Sequence, residues 1–177
     1  MISHEQSIPG VHLIHPDLHQ DARGIFHRSF CQAELRKRGI YFEVKQGNIS
    51  ENFALHTLRG FHYQVDPSQE AKILTCVTGS LYNLVVDLRK KSATYKQWIA
   101  LNLSAKSGES LHVPAGCGNA FLTMSDHTIV HYYMSDVFSP DSYRGIRFDD
   151  PSFGFVWPHS PAVISVKDAS FPDFQEE

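Results

Sequence analysis

Apolar residues recur at every second position through much of this chain, in short runs closed by Gly, Pro, Asn or Ser. The spacing of three and four that marks a helix is nearly absent. The runs fall at Val11–Ile14, Asp21–Phe26, Phe42–Ile49, Leu58–Gln64, Ala71–Thr78, Leu81–Leu88, Tyr95–Leu103, Ser110–Val113, Ala120–Met124 and Thr128–Met134. About ten short strands with turns between them predict an all-β antiparallel sandwich or barrel, and the double-sheet jelly roll suits that count. Ala71–Thr78 is apolar almost throughout, which predicts a strand buried on both faces, followed by a hairpin at Gly79-Ser80. Gln32–Arg38, closed by Gly39, is the best helix candidate and is short. Asn52–Thr57 reads as a loop, and Asp66–Glu70, with Pro67, as a break in the chain of strands.

The chain has 177 residues, of which 42% are hydrophobic, enough for one sizeable core, so residues 1–177 are expected to form a single domain. A net charge of -3, with acids and bases intermixed, gives no reason to expect nucleic acid or a membrane surface as partner. No apolar run approaches the roughly 20 residues that span a bilayer, and Met1–Gly10 lacks the layout of a signal peptide. Cys31, Cys76 and Cys117 cannot all pair with one another. Free thiols in a reducing cytoplasm are therefore expected, with Cys76 and Cys117 packed as small hydrophobes.

One run carries candidate chemistry. In Leu58-Arg59-Gly60-Phe61-His62-Tyr63-Gln64 the two-residue period predicts Phe61 and Tyr63 on one face and His62 and Gln64 on the other. An imidazole beside a permanent guanidinium suits proton chemistry on an anionic substrate. The residues alone allow a plainer reading, a partly buried, hydrogen-bonded histidine. Phe42–Ile49 delivers Gln46 and Asn48 to a common face.

The segment Gly108–Asn119, with Pro114 and Gly116, resembles the second motif of cupins, which are small jelly-roll barrels with short peripheral helices. Metal-binding cupins carry histidine where this chain has Asn119 and a second histidine where it has Gln64. Two imidazoles are absent and an amide oxygen is a poor substitute, so no metal is expected. Further motifs narrow the resemblance: Asp21-x-Arg23-Gly24-x-Phe26, Gln46-Gly-Asn48, Arg59-Gly60-Phe61-His62, Val86-Asp87-Leu88-Arg89, Tyr132, Gly145–Pro151, Trp157-Pro158 and Lys167-Asp168-Ala169. In that order they resemble the cupin-type nucleotide-sugar epimerases typified by dTDP-4-dehydrorhamnose 3,5-epimerase.

The resemblance implies a nucleotide-linked 4-keto-6-deoxy sugar as substrate, a homodimer and no cofactor. It implies His62 as base, Asp168 as the carboxylate that orients it, and Tyr132 as the acid on the opposite face. It implies Lys72 near the enolate oxygen or the phosphates, Arg23 and Arg59 on the diphosphate, and Phe26, Gln46, Asn48 and Lys167 among the substrate-binding positions. Plainer alternatives stand beside these. Tyr132 can be a core aromatic, with Tyr133 then an equally good acid on composition alone, Asp168 a solvated carboxylate, Lys72 a snorkelling surface residue, and Arg23 half of a turn-edge salt bridge. Asp87 and Arg89 read as a structural ion pair.

The chain also departs from the family. Arg28 and Tyr143 stand where glutamates of the nucleotide site are expected, Asn119 replaces a histidine, and Phe138 replaces a second tyrosine. A guanidinium satisfies acceptor pairs on cytosine or guanine that a carboxylate would repel. Arg28 therefore points to CDP first and GDP second in place of the default dTDP, unless it turns away to bind phosphate or a surface carboxylate. Phenylalanine at 138 in place of that tyrosine removes a hydroxyl near the sugar, which points to inversion at C3 alone. Ile8–Ile14 is expected to exchange with, or pair with, a partner subunit, covering an edge that would otherwise be exposed.

Overall fold

In the computed structural model, which describes residues 1–176, the alternating runs form two antiparallel sheets. With strands numbered in chain order, the first sheet runs β1 (Ile2–Glu5), β2 (His12–His15), β10 (Ser110–Val113), β7 (Lys72–Thr78), β12 (Thr128–Met134), β5 (Gln46–Asn52). The second runs β13 (Tyr143–Gly145), β6 (Leu58–Gln64), β11 (Cys117–Thr123), β8 (Ser80–Asp87), β9 (Trp98–Ser104). A separate hairpin joins β3 (His19–Asp21) to β4 (Gly24–Phe26), and two short helices, α1 (Gln32–Arg36) and α2 (Val166–Ala169), lie outside the sheets. This is the expected jelly roll. No helix among the described residues is long and apolar enough to cross a membrane.

The period of two explains the layers. Leu74, Cys76 and Val130 of the first sheet share one buried cluster with Leu81, Val85 and Phe121 of the second. The residues between them point outward. Ile73 joins Leu35 of α1 and Phe42 in a second cluster, which is why β7 is apolar on both faces. Leu84, Val86 and Phe61 form a third, roofed by Phe153, Phe155 and Trp157. Phe61 and Phe155 stack with centroids 4.2 Å apart. Each such large side chain, fully buried, contributes roughly 1.5–3 kcal/mol. Cys76 and Cys117 are buried and free, as expected.

Asp87 and Arg89 do form a structural pair. Arg89 donates from Nε and from a terminal nitrogen to the two carboxylate oxygens, at 2.8 and 2.9 Å, and Thr94 Oγ1 donates at 2.6 Å. Burial alone would raise the Asp87 carboxyl, but these donors outweigh it and hold it at about 2. The segment wraps around this carboxylate, with the Lys96 N–H returning to the Asp87 carbonyl. β9 consequently begins at Trp98 and not at Tyr95.

Other boundaries moved for similar reasons. Phe42 leaves the sheet to pack under α1, so the strand expected at Phe42–Ile49 is β5, Gln46–Asn52. β1, β13 and α2 are too short and too polar to show a period. The edge expected to be open at Ile8–Ile14 is already covered within the single chain. Ile8, Val11 and Ile14 are at most 3% exposed, and β2 is already flanked by β1 and β10 of the same chain.

Candidate active site

Between β5, β7 and β12 of one sheet and β6, β11 and β13 of the other lies a cavity of about 670 Å³. Its geometry starts at Gly60. The register pairs Asn119 with His62 but Phe121 with Arg59, so three steps of β6 oppose two of β11. This bulge turns both Arg59 and His62 into the cavity while Phe61 stays in the outer cluster. An unbroken period of two would have put Arg59 with Phe61. Gly60 has φ +108°, and a Cβ there would stand 2.5 Å from the Asn119 carbonyl oxygen, so only glycine fits.

His62 is completed by α2. The Ser165 hydroxyl caps that helix by accepting from the Asp168 N–H at 3.0 Å. The Asp168 side chain, 5% exposed, accepts from His62 Nε2 at 2.8 Å and from the Gly60 N–H at 3.3 Å. Burial favours its neutral form, but the hydrogen bonds and the imidazole prevail, and the carboxyl lies below the usual carboxylate range. An ionised carboxylate only accepts, so the imidazole hydrogen sits on Nε2 and Nδ1 is left basic. The solvated-surface alternative for Asp168 is thereby excluded.

Tyr132, on β12, stands on the facing sheet and lines the cavity, whereas Tyr133 packs outward against Phe30. Of the two phenols, then, Tyr132 is the one at the site. Burial, with a lesser push from Glu70, raises its ionisation above the ordinary tyrosine value. Lys72 is a cavity residue and no snorkel. Its ammonium lies 2.7 Å from the Glu70 carboxylate and donates to the His62 carbonyl at 3.1 Å. Arg59 Nε donates to Asn52 Oδ1 at 2.7 Å, which fixes that guanidinium against β5.

Gln46 donates to Asn48 and accepts from the Phe138 N–H, each at 3.0 Å, tying the Phe138 loop to β5. Asn119 donates to Asn83 Oδ1 and to the Leu84 carbonyl, both at 3.0 Å. Tyr143 has its ring 5.4 Å from that of His62 and 5.5 Å from that of Phe138, and the Lys167 ammonium lies 3.9 Å from its centroid. The structure thus gathers His62, Asp168, Tyr132, Gln46, Asn48, Arg59, Lys72, Asn119, Phe138, Tyr143 and Lys167 around one cavity.

Three expected residues are not there. Arg23 and Phe26 lie on the exposed β3–β4 hairpin, where Arg23 donates to Asp21 as the turn-edge alternative had it. Arg28 pairs with Glu34, the surface carboxylate that also binds the chain's N-terminus. Glu70 was missed, although it precedes Lys72 by two residues and so shares its side of the backbone. Asn52, read as loop, was missed with it. Among the described residues, no group of three or more His, Cys, Asp or Glu side chains is placed to hold a metal ion.

Comparison with known proteins is consistent along the chain. A family model described as dTDP-4-dehydrorhamnose 3,5-epimerase matches residues 5–176. The dTDP-4-dehydrorhamnose 3,5-epimerase of Sinorhizobium fredii is 36% identical over 171 residues, covering 96% of this chain and 88% of its own. The crystal structure of the Bacillus anthracis enzyme of that name, with TDP and PPi bound, superposes with a TM-score of 0.95 at 33% identity, covering 98% of this chain and 99% of that one. A 3'-monoepimerase from Streptomyces bikiniensis in complex with dTDP-quinovose gives 0.90 at 31% identity, covering 96% and 86%.

Proposed function

The chain belongs to the dTDP-4-dehydrorhamnose 3,5-epimerase family, and from that premise we propose how its cavity inverts a sugar carbon. It is an isomerase-class enzyme of deoxysugar synthesis, an epimerase of nucleotide-linked 4-keto-6-deoxyhexoses. The family favours this over a 3,4-ketoisomerase or a non-catalytic binder.

The observation that carries the mechanism is the His62–Asp168 bond within a cavity whose opposite wall bears Tyr132. The C4 ketone acidifies the hydrogen on C3, because the electron pair left behind delocalises as an enolate. His62 Nδ1 takes that proton, and the ionised Asp168 stabilises the imidazolium that forms. Tyr132 then delivers a proton from the other wall, which inverts the carbon. Both groups are returned to their starting states by exchange with solvent. Arg59 and Lys167 are suited to the diphosphate, where guanidinium and ammonium groups meet phosphate oxygens.

The nucleotide in this reading is dTDP. Arg28 is neutralised by Glu34 and is not a free guanidinium in search of acceptors. Phe138 brings no hydroxyl to the cavity, which supports inversion at C3 without C5. One experiment tests substrate and position together. The dTDP-, UDP-, CDP- and GDP-linked 4-keto-6-deoxyglucoses are incubated with enzyme in heavy water and followed by mass spectrometry and NMR. Deuterium should enter C3 of the dTDP sugar fastest, with inversion. A faster CDP or GDP sugar would restore the base-switch reading, and exchange with none would overturn the function.

The enzyme works as a homodimer in this reading, in a reducing compartment such as the cytoplasm, where Cys31, Cys76 and Cys117 stay free. The β3–β4 hairpin supports the dimer. Phe26 is 72% exposed, and Arg23 and Phe26 would meet a nucleotide only in the cavity of a second copy. Light scattering at micromolar concentration should give the mass of two chains; a monomer would count against it.

A further inference from the structure

Inversion makes a demand on the cavity that the base and the acid do not meet. A carbon that loses hydrogen toward one wall and gains it from the other swings its remaining substituent through the plane of the enolate. On C3 that substituent is a hydroxyl, which leans toward Tyr132 in the substrate and toward the His62 wall in the product. Arg59, Lys167 and the imidazolium of His62 are all donors there and offer the arriving O–H no lone pair. Asn119 offers one. It stands opposite His62 in the register of β6 and β11, so the two side chains leave the same face of the sheet about 5 Å apart.

The amide of Asn119 is held one way round. Its Nδ2 donates one hydrogen to Asn83 Oδ1 and the other to the Leu84 carbonyl, each at 3.0 Å. A carbonyl only accepts, so the nitrogen has to face Leu84 and the amide cannot turn over. Asn83 is fully buried and its own Nδ2 has no partner, yet reversing Asn83 would only set that nitrogen against the nitrogen of Asn119. With both hydrogens given to β8, the polar atom that Asn119 has left for the cavity it lines is Oδ1.

We propose that Asn119 Oδ1 accepts the hydrogen bond of the C3 hydroxyl as it arrives on the His62 wall, and so steers the enolate toward inversion and away from return. This rests on the epimerase reading given above and deepens it. The C3–H bond breaks toward His62 Nδ1, and its electron pair enters the C3–C4 bond as the carbonyl π pair moves onto oxygen. That pair then flows back, C3 takes the Tyr132 proton, and the phenolate is reprotonated by solvent. Return to substrate sends the hydroxyl to the other wall, away from Asn119. The acceptor therefore stabilises one of the two reprotonation steps and not the other. Having no hydrogen left to give, Asn119 takes no part in holding the enolate oxygen.

The 3-deoxy-3-fluoro analogue of the dTDP-linked 4-keto-6-deoxy sugar tests this, since fluorine at C3 donates no hydrogen bond. Native enzyme and Asn119→Leu each receive the hydroxylated and the fluorinated sugar in heavy water. NMR reads the early ratio of inverted product to deuterated, uninverted substrate. In the native enzyme that ratio should fall about tenfold on fluorination, the effect of one hydrogen bond left unmade. In Asn119→Leu the two sugars should share the same lowered ratio, within about twofold. A native ratio indifferent to fluorine overturns the assignment. So does a variant that separates the two sugars as the native enzyme does, because another group would then be receiving the hydroxyl. Should Asn119→Leu not fold, the native comparison decides alone. If native enzyme exchanges no hydrogen on the hydroxylated sugar, the epimerase reading itself fails and this inference with it.

Discussion

His62→Asn should abolish deuterium uptake at every carbon of the sugar, with a loss of at least about 10³-fold in exchange and in turnover alike. Asparagine approximates the polarity of the imidazole and can still face Asp168, so the buried carboxylate keeps a partner and the fold is spared the cost of a bare charge. What asparagine lacks is a basic nitrogen. With no base the enolate never forms, and neither wash-in nor inversion can proceed. Heavy-water NMR of the sugar after prolonged incubation is the measurement. Exchange near the native rate would remove His62 from the role of base.

Tyr132→Phe should separate two events that the native enzyme couples. His62 still removes the proton, so deuterium continues to enter C3. The opposite wall now has no acid, and the enolate is reprotonated from the face it came from. Inversion should drop by about 10²–10³-fold while exchange survives. Tyr133→Phe is the control, because its ring packs outside the cavity against Phe30, and it should invert at nearly the native rate. If exchange and inversion vanish together in Tyr132→Phe, the phenol does more than return a proton.

Much of this site was readable from the order of residues, and what escaped has physical causes. The period of two gave the layers, and the His62 run identified the base because it combined a strand with an imidazole and a cation. Periodicity alone does not account for Arg59 beside His62, because the bulge at Gly60 inverts every side chain before it, and a glycine does not announce whether its freedom is used for a bulge. Composition alone left Tyr132 and Tyr133 equal, and the choice of Tyr132 came from the resemblance; the β12–β5 and β12–β7 registers define the inner face. Asp168 looked solvated because α2 is only four residues long and owes its place to Ser165 and His62 and not to any apolar stripe. Ile8–Ile14 was correctly seen as needing a neighbour; β10, about a hundred residues downstream, supplies it within the same chain.

The bond between His62 and Asp168 closes a loop of 106 residues, and that has a bearing on how the protein comes into being. Ribosomes deliver β6 long before α2, so through most of synthesis the imidazole lacks its orienting carboxylate and the Gly60 N–H lacks the acceptor that Asp168 supplies. A nascent chain can lay down both sheets and still hold no working base. The base acquires its orienting carboxylate only when the last segment docks.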